Sequence, residues 1–550
     1  MKLMKLTIAF SVMISCIIFN LNFSNHACAQ DTEKIQIKWY IQISNDEEDP
    51  FRVGLFEAVE EYNSSQERIE VVIDPSYAGC SFDATDTLLL RIQEGNPPDI
   101  TALNYSELWE HLLDLRPYLE DYDLSDVDST FFFKHEYNNK LLHLSFCFAT
   151  DLLFYNKSMF DSLDIPYPPD EYGELYNGTD VWDMDKLEDI AMLLTLDSAG
   201  HNANHPEFNP DTIIQYGYHW RYTNGLDFIK PFGQPQLVDQ DCEVSVPSYS
   251  RQGYLWIKEG TWQKHFILPG EEHEALNADP LGSGRVGMVC TSSSYCDQLE
   301  DVPFEWDIAI MPEYNGNTHI AWNTGSFCIL NTCEHPEEAL EVIFEIIRRV
   351  DMYGTAIPTM KDLRPIVKDS LLSKFPDINW EVMYSSLEYI NPDESSGDAL
   401  QYNMAAWRLA NSMRDYLQYD PYPDVNGALD TYFIPRWENI FADACTNDTV
   451  TKTDEIGFKT PGSAINDICN AYPTILNGHT HFVFNLPESG TVKLTVFNSN
   501  GQQIERLIDS RYPEGKHEYV WTSYDLLPGN YFLKFQFEDH IEIEKLVKIR

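Results

Sequence analysis

The sequence predicts an α/β protein that ends in a small all-β unit. Three observations carry this. Short apolar strands alternate with helical runs along the first hundred residues. Leu152, Leu153 and Phe154 form an apolar run without polar alternation, the pattern of a strand buried on both faces, as in a parallel sheet. From Tyr472 onward, period-two segments follow one another between Gly, Pro and Asn turns.

The 550 residues are enough for two large lobes or three domains, and 13% aromatic content supports a sizeable core. The formal net charge of −51 repels nucleic acid and anionic membranes, so nucleic-acid binding is discounted. The charge is read as a solvated surface that aids solubility. Residues 1–29 carry Lys2 and Lys5, an apolar run over 6–19 and the set Ala27-Cys28-Ala29. This is a secretory signal cut after Ala29. Cys16 is followed by Ile17, Ile18 and Phe19, so it is read as part of the apolar region and not as a lipid-attachment site. No other stretch approaches the ~20 apolar residues of a membrane span, so the cleaved chain is not membrane-spanning. Of eleven cysteines, nine lie beyond the signal. Export permits disulfides, and Cys290/Cys296, Cys328/Cys333 and Cys445/Cys469 are close in sequence. An odd number leaves at least one thiol free, and the pairing stays open.

In chain order, residues 35–43 (IQIKWYIQI) are a strand and 49–63 a helix with Phe51, Leu55, Phe56, Val59 and Tyr62 at helical spacing. Residues 69–73 are a second strand and 84–94 a second helix. The GNPPD turn stops that helix, and a short strand follows at 100–103. After Leu152–Phe154, Tyr155-Asn156 ends the strand, a helix starts at Lys157, and Pro166, Pro168 and Pro169 break it. Residues 182–196 are a helix. The loop 197–218 holds scattered Asp, Asn and Glu oxygens. They miss the D-x-D-x-D-G calcium spacing, and Pro206 and Pro210 interrupt them, so the loop is read as turn-rich and without metal. Residues 286–289 are a strand, and Ser292, Ser293 and Ser294 supply caps for a following helix. The segments FEWDIAIMP (304–312), IAWNTGSFCIL (320–330) and HPEEALEVIFEIIRR (335–349) follow, then GTAIP (354–358) and helices to about residue 442.

The segment LSFCFATDLLFYNKSMFDSLDIPYPP (144–169) resembles the signature of extracellular solute-binding proteins of sugar ABC importers, the maltose-binding class. The GNPPD turn, LLDLRPYLE (112–120), the Gln-Tyr-Gly-aromatic end of the 197–218 loop, GRVGMVCTSSSYCD (284–297), W-D-I-A-x-M-P and the H-P-E-E-A helix follow in the same order. The resemblance covers roughly residues 35–440. It implies a two-lobed periplasmic-binding-protein fold, type II-like, over 30–442, with residues 144–169 as the crossover into the second lobe. It also implies a ligand held between the lobes and an ABC permease as partner.

Residues 443–470 are polar and read as a linker. Residues 471–550 form an Ig-like β-sandwich, with Asn500-Gly501 as a hairpin signal. NLPESGTVKLTVFNSNGQ (485–502), EGKHEYVW (514–521), LLPGNYFLKF (526–535) and the basic end KLVKIR resemble the C-terminal sorting domain of type nine secretion cargo. That resemblance implies contact with the secretion machinery and a location at the cell surface or outside the cell. The alternative is the periplasm, where importer-binding proteins work.

Ligands of open α/β sheets bind at the carboxyl ends of strands, and two facing rims make a cleft. The candidate contacts are therefore Trp39 and Ser44, Asn104 and Tyr105, and Thr150 and Asp151 on one side. On the other are Trp220, Ser292, Ser293 and Tyr295, and Trp322, Asn323 and Gly325. Flat aromatic rings suit the C–H faces of sugars, and Asn, Asp and Ser pair with hydroxyls. The reading is an exported protein that captures a carbohydrate, first an oligosaccharide, by hinge closure, for ABC-type uptake or surface capture. It needs no catalytic residue, cofactor or metal. The alternatives are a secreted carbohydrate-active hydrolase or lyase carrying a sorting tail, and an adhesin. No G-x-S-x-G or H-E-x-x-H motif supports an enzyme, although a glycosidase carboxylate pair is defined only by geometry.

Overall fold

A single thirteen-residue strand, Leu144–Asn156, runs through the middle of the main sheet with every residue buried. At about 3.3 Å per residue it spans about 40 Å, enough to belong to two layers of structure in turn. It appears in a computed structural model that describes two stretches. The first is residues 34–446 apart from 44–49, 78–80, 104, 121, 133–135, 138–139, 221–225, 234–236, 239–242, 277–278, 350–352, 391–403 and 420–423. The second is residues 469–548 apart from 473–474, 477–478, 487, 499–502, 523–528 and 538–539. The expected signal (1–29), the Asn500-Gly501 hairpin, Ser44 and Asn104 lie outside the described residues.

The N-terminal half forms as its periodicity predicts. In Ile35–Gln42 the residues Ile37, Trp39 and Ile41 share one parity and are all buried. This strand pairs in parallel with Ile69–Ser76 and with Ile100–Thr101. The helices Pro50–Ser65 and Ser81–Gln93 make the crossovers. The GNPPD turn is tied to the first strand: the Lys38 N–H donates to Asp99 Oδ2 at 2.8 Å and the Asp99 N–H to the Lys38 carbonyl at 2.9 Å.

The long strand then changes company partway along. Its first part pairs with Trp322–Ile329 and briefly with Ile357–Pro358. Its last part pairs with Val286–Ser292 on one edge and Trp306–Ala309 on the other. Trp322–Ile329 continues to Ile100–Thr101 in the N-terminal lobe. Val286–Ser292 continues to Ile213–Trp220 and Leu196–Asp197 in the second. All four partners of the long strand are antiparallel, which corrects the parallel reading of Leu152–Phe154. An unalternated apolar run reports burial on both faces and carries no information about the direction of neighbours. The strand ends as expected: Asn156 Oδ1 accepts the Met159 N–H at 3.1 Å and caps the helix Lys157–Ser162.

One further expectation changes, and the open question of the cysteines is answered in part. Ser293–Leu299 is a tight 3₁₀ segment, and Ser292 makes no capping bond to it. The Ser293 hydroxyl instead donates to the Thr355 carbonyl at 2.9 Å, and that of Ser294 to Ser292 Oγ at 3.4 Å. Cys290, Cys296, Cys328 and Cys333 are free, so neither of these sequence-close pairs is bridged. Cys147 is also free, and burial pushes its thiol up to about 12.

The expected linker loses both ends. Its first residues complete the helix Ile434–Thr446, and Cys469 and Asn470 join the strand Cys469–Tyr472, which pairs with His479–Leu486. Backbone pairing with a neighbour outweighs the polar composition there. Beyond it, one sheet of three strands and one of five enclose a core of Phe482, Phe484, Leu494, Val496, Trp521 and Phe535. Among the described residues, no helix is long and apolar enough to cross a membrane.

Candidate functional site

The residues that bring the two lobes together are Thr150 and Asp151. Thr150 stands opposite Trp322, on the strand returning to the first lobe. Asp151 stands opposite Ser292, on a strand of the second. The Asp151 N–H donates to the Ala321 carbonyl at 2.8 Å, so the backbone of the return strand is held at the same point. Asn323 lies opposite Ala149 and is exposed. Trp220 lies opposite Cys290, two residues before Ser292. The local electrostatics are those of a dry wall beside a carboxylate. Burial raises the Tyr218 hydroxyl and the Cys290 thiol well above their usual ranges, and the charge of Asp151 adds to both.

The predicted contacts fall into three groups. Thr150, Asp151, Ser292, Trp322 and Asn323 converge on this switch of strand pairing. Trp39, Trp220, Trp322, Ser293 and Tyr295 are buried. Trp39 packs edge-to-face on Phe327 with centroids 5.0 Å apart, Trp220 stacks on Phe228 at 5.3 Å, and the Tyr295 hydroxyl bonds Asp279. The four aromatic residues among them belong to the main hydrophobic core. Tyr105, Ser292 and Gly325 are half-buried. Gly325 sits at a bulge, and a Cβ there would lie 2.7 Å from Cys147 Sγ, so its place reflects close strand packing.

Sequence reasoning missed Trp407. Tyr105 follows the strand Ile100–Thr101, which runs antiparallel to the return strand toward its Trp322 end. Its ring meets that of Trp407 edge-on, with centroids 6.4 Å apart. Trp407 is on the helix Met404–Tyr419, which is anchored to the second lobe. Trp262 Nε1 donates to the Leu417 carbonyl at 2.8 Å and the Tyr419 hydroxyl to Glu274 at 2.7 Å. Arg408 also reaches Asp86 of the first lobe at 3.6 Å. The helix is amphipathic, with Ala406, Ala410, Met413 and Leu417 buried, and the sequence carried no signal that singled out Trp407. Tyr105 and Trp407 form an aromatic pair that spans both lobes.

A separate concavity of about 350 Å³ opens at the other end of the long strand, walled by Tyr155, Lys157, Tyr167, Asp170 and Asp307. It is lined by residues of the second lobe alone.

The sequence profile of bacterial extracellular solute-binding proteins matches residues 57–378, more than half of the chain. The chain belongs to this family. It is therefore a ligand-binding protein and not an enzyme. No curated protein matches it in sequence. Solved structures share its α/β periplasmic-binding-protein fold. The ABC substrate-binding protein of Listeria monocytogenes in complex with cycloalternan is 18% identical, with a TM-score of 0.55 over 76% of this chain and 99% of that one. The cyclic α-maltosyl-1,6-maltose binding protein of Arthrobacter globiformis is 14% identical, with a TM-score of 0.55 over 74% and 100%. UgpB of Mycobacterium tuberculosis, in complex with glycerophosphocholine, is 12% identical, with a TM-score of 0.58 over 75% and 99%. In this solute-binding protein, one strand is shared by both lobes and changes partners at Thr150 and Asp151.

Proposed function

We propose that this solute-binding protein captures a carbohydrate, first an oligosaccharide, between its two lobes and holds it by hinge closure, for ABC-type uptake or capture at the cell surface. The observation that carries the reading is the Tyr105–Trp407 pair, one ring from each lobe. Two rings on opposing rims suit the apolar faces of a sugar chain. Asn323 and Ser292 supply amide and hydroxyl partners for its hydroxyls, with Thr150 and Asp151 buried behind them. Each hydroxyl left unpaired costs about 1–3 kcal/mol, which gives such a site its selectivity. A ligand that touches both rims only when they approach shifts the open–closed balance by that difference. Complexes of relatives with cycloalternan and with maltotriose support the ligand class.

The test is a thermal-shift screen of the exported chain against mono- and oligosaccharides, amino acids and glycerophosphocholine, with product analysis of each hit. An oligosaccharide at 100 times its dissociation constant stabilises by about 2.7 kcal/mol and is recovered unchanged. A response confined to amino acids or to glycerophosphocholine would replace the carbohydrate reading.

A further inference from the structure

The loop between Asp197 and Ile213 was read for its oxygens, but the structure brings its histidines together. His201, His205 and Glu207 each place one ligand atom within 4.8 Å of the others. The two imidazoles lie parallel, with centroids 4.2 Å apart. We propose that these three residues form a site for a divalent transition metal of the zinc class, which staples the loop that leads into the strand Ile213–Trp220.

The argument starts from Asp197. It is buried, and its carboxylate accepts backbone N–H groups from Ala199, His201 and Asn209, each at 2.9 Å. These three donors satisfy the buried carboxylate and hold it in place behind His201. Asp197 Oδ2 also lies 3.4 Å from His201 Nδ1. That approach is not a hydrogen bond as it stands, but a neutral ring that turns its Nδ1–H to the carboxylate leaves a lone pair on Nε2. That Nε2 faces Glu207 Oε2 at 3.8 Å. Two acceptors then face each other with no donor between them, and a cation satisfies both.

His205 completes the set at one cost. Its Nδ1 accepts the Glu207 N–H at 3.1 Å. Coordination through either nitrogen ends that bond, because Nδ1 then holds either the metal or the ring hydrogen. Tetrahedral zinc with bonds of about 2.0–2.1 Å holds its ligands about 3.4 Å apart, so the three groups need to close by roughly an ångström. Two imidazoles and one carboxylate favour zinc-class ions over calcium, which prefers all-oxygen shells. The rest of the loop is already braced. The Ala203 N–H is shared by the Met192 and Thr195 carbonyls at 3.1 Å, and Gly200 takes the positive φ of +83° that the turn requires.

The test is calorimetric titration of Zn²⁺ into the chelator-treated full chain at pH 7.5, with melting temperatures of the metal-free proteins as a folding control. Wild type takes up one equivalent and melts higher when loaded. His201→Ala and His205→Ala lose that equivalent while melting like wild type without metal. Asn204→Ala, on the same loop, keeps it. Asp197→Asn, which removes the charge behind His201 and also the acceptor for at least one of the backbone donors of the loop, weakens binding by about 10–100-fold, and its metal-free melting temperature separates the two effects. The proposal is overturned if wild type shows no saturable uptake below about 0.1 mM. It is equally overturned if the His201→Ala/His205→Ala double variant binds like wild type, or if Ca²⁺ occupies the same residues as tightly as Zn²⁺.

Discussion

Thr150 and Asp151 are neighbours on one strand, yet Thr150 pairs with Trp322 of the first lobe and Asp151 with Ser292 of the second. A hinge between them needs no break in the sheet. It needs only that the two ladders twist about their shared strand.

Trp407→Ala removes the second-lobe ring that meets Tyr105. We expect about a tenfold weaker affinity for the oligosaccharide identified by screening, about 1.4 kcal/mol, with little change in the ligand-free melting temperature. Calorimetric titration measures it, and unchanged affinity would remove Trp407 from the site.

Gly217→Ala tests why the Gln-Tyr-Gly-aromatic segment needs its glycine. A Cβ at Gly217 would lie 1.9 Å from the Ala191 carbonyl oxygen of the helix Met184–Leu194. The Gly217 N–H also donates to Thr195 Oγ1 at 2.9 Å, which holds helix and strand at that spacing. Backbone cannot yield as a side chain can, so the variant loses about 3 kcal/mol or more in urea unfolding. Wild-type stability in the variant would mean that the helix is free to move away.

Asp307→Asn separates burial from charge. Burial raises the Asp307 carboxyl above its usual range, against N–H donors from Asn379 and Ile308 and the Lys157 charge. A raised folded value means that the native state holds the proton more tightly than the unfolded chain. Its stabilising contribution is full below the unfolded value near 3.8 and is lost as pH rises through the folded value. The variant keeps an amide oxygen for the backbone donors and has no charge to bury. Its melting temperature relative to wild type should therefore rise between pH 3.5 and pH 7, and a flat difference would contradict this.

The β-unit beyond residue 470 gives a cellular prediction, resting on its resemblance to sorting domains. The full chain should reach the cell surface or the medium, and a chain ending at residue 470 should stay in the periplasm. Fractionation of the native host decides it, and equal release of both would leave the unit without a sorting role.

Much of the fold was legible because the pattern is local. The apolar run over 35–43 announced the first strand, which the structure buries on both faces at Trp39, Tyr40 and Ile41. Pro336 with Glu337 and Glu338 announced a helix start, which the structure places at Pro336–Ile347. Tyr155-Asn156 marked a strand end because Asn156 caps the next helix. The direction of the long strand's neighbours was not legible, since burial on both faces looks the same beside parallel and antiparallel partners. Nor was the meeting of Tyr105 with Trp407, about three hundred residues apart in the chain.

The sequence by itself determined the element order, the solute-binding family signature along residues 35–440 and the change to all-β after the linker. Each of these is written in periodicity, capping and turn chemistry within a few residues. Only the tertiary structure decided which strand joins the lobes, that four of the cysteines read as close pairs stay unbridged, that the strand-end tryptophans are core, and that His201, His205 and Glu207 converge. Those outcomes depend on which distant segments share a ladder or a loop, and a one-dimensional pattern does not encode that distance.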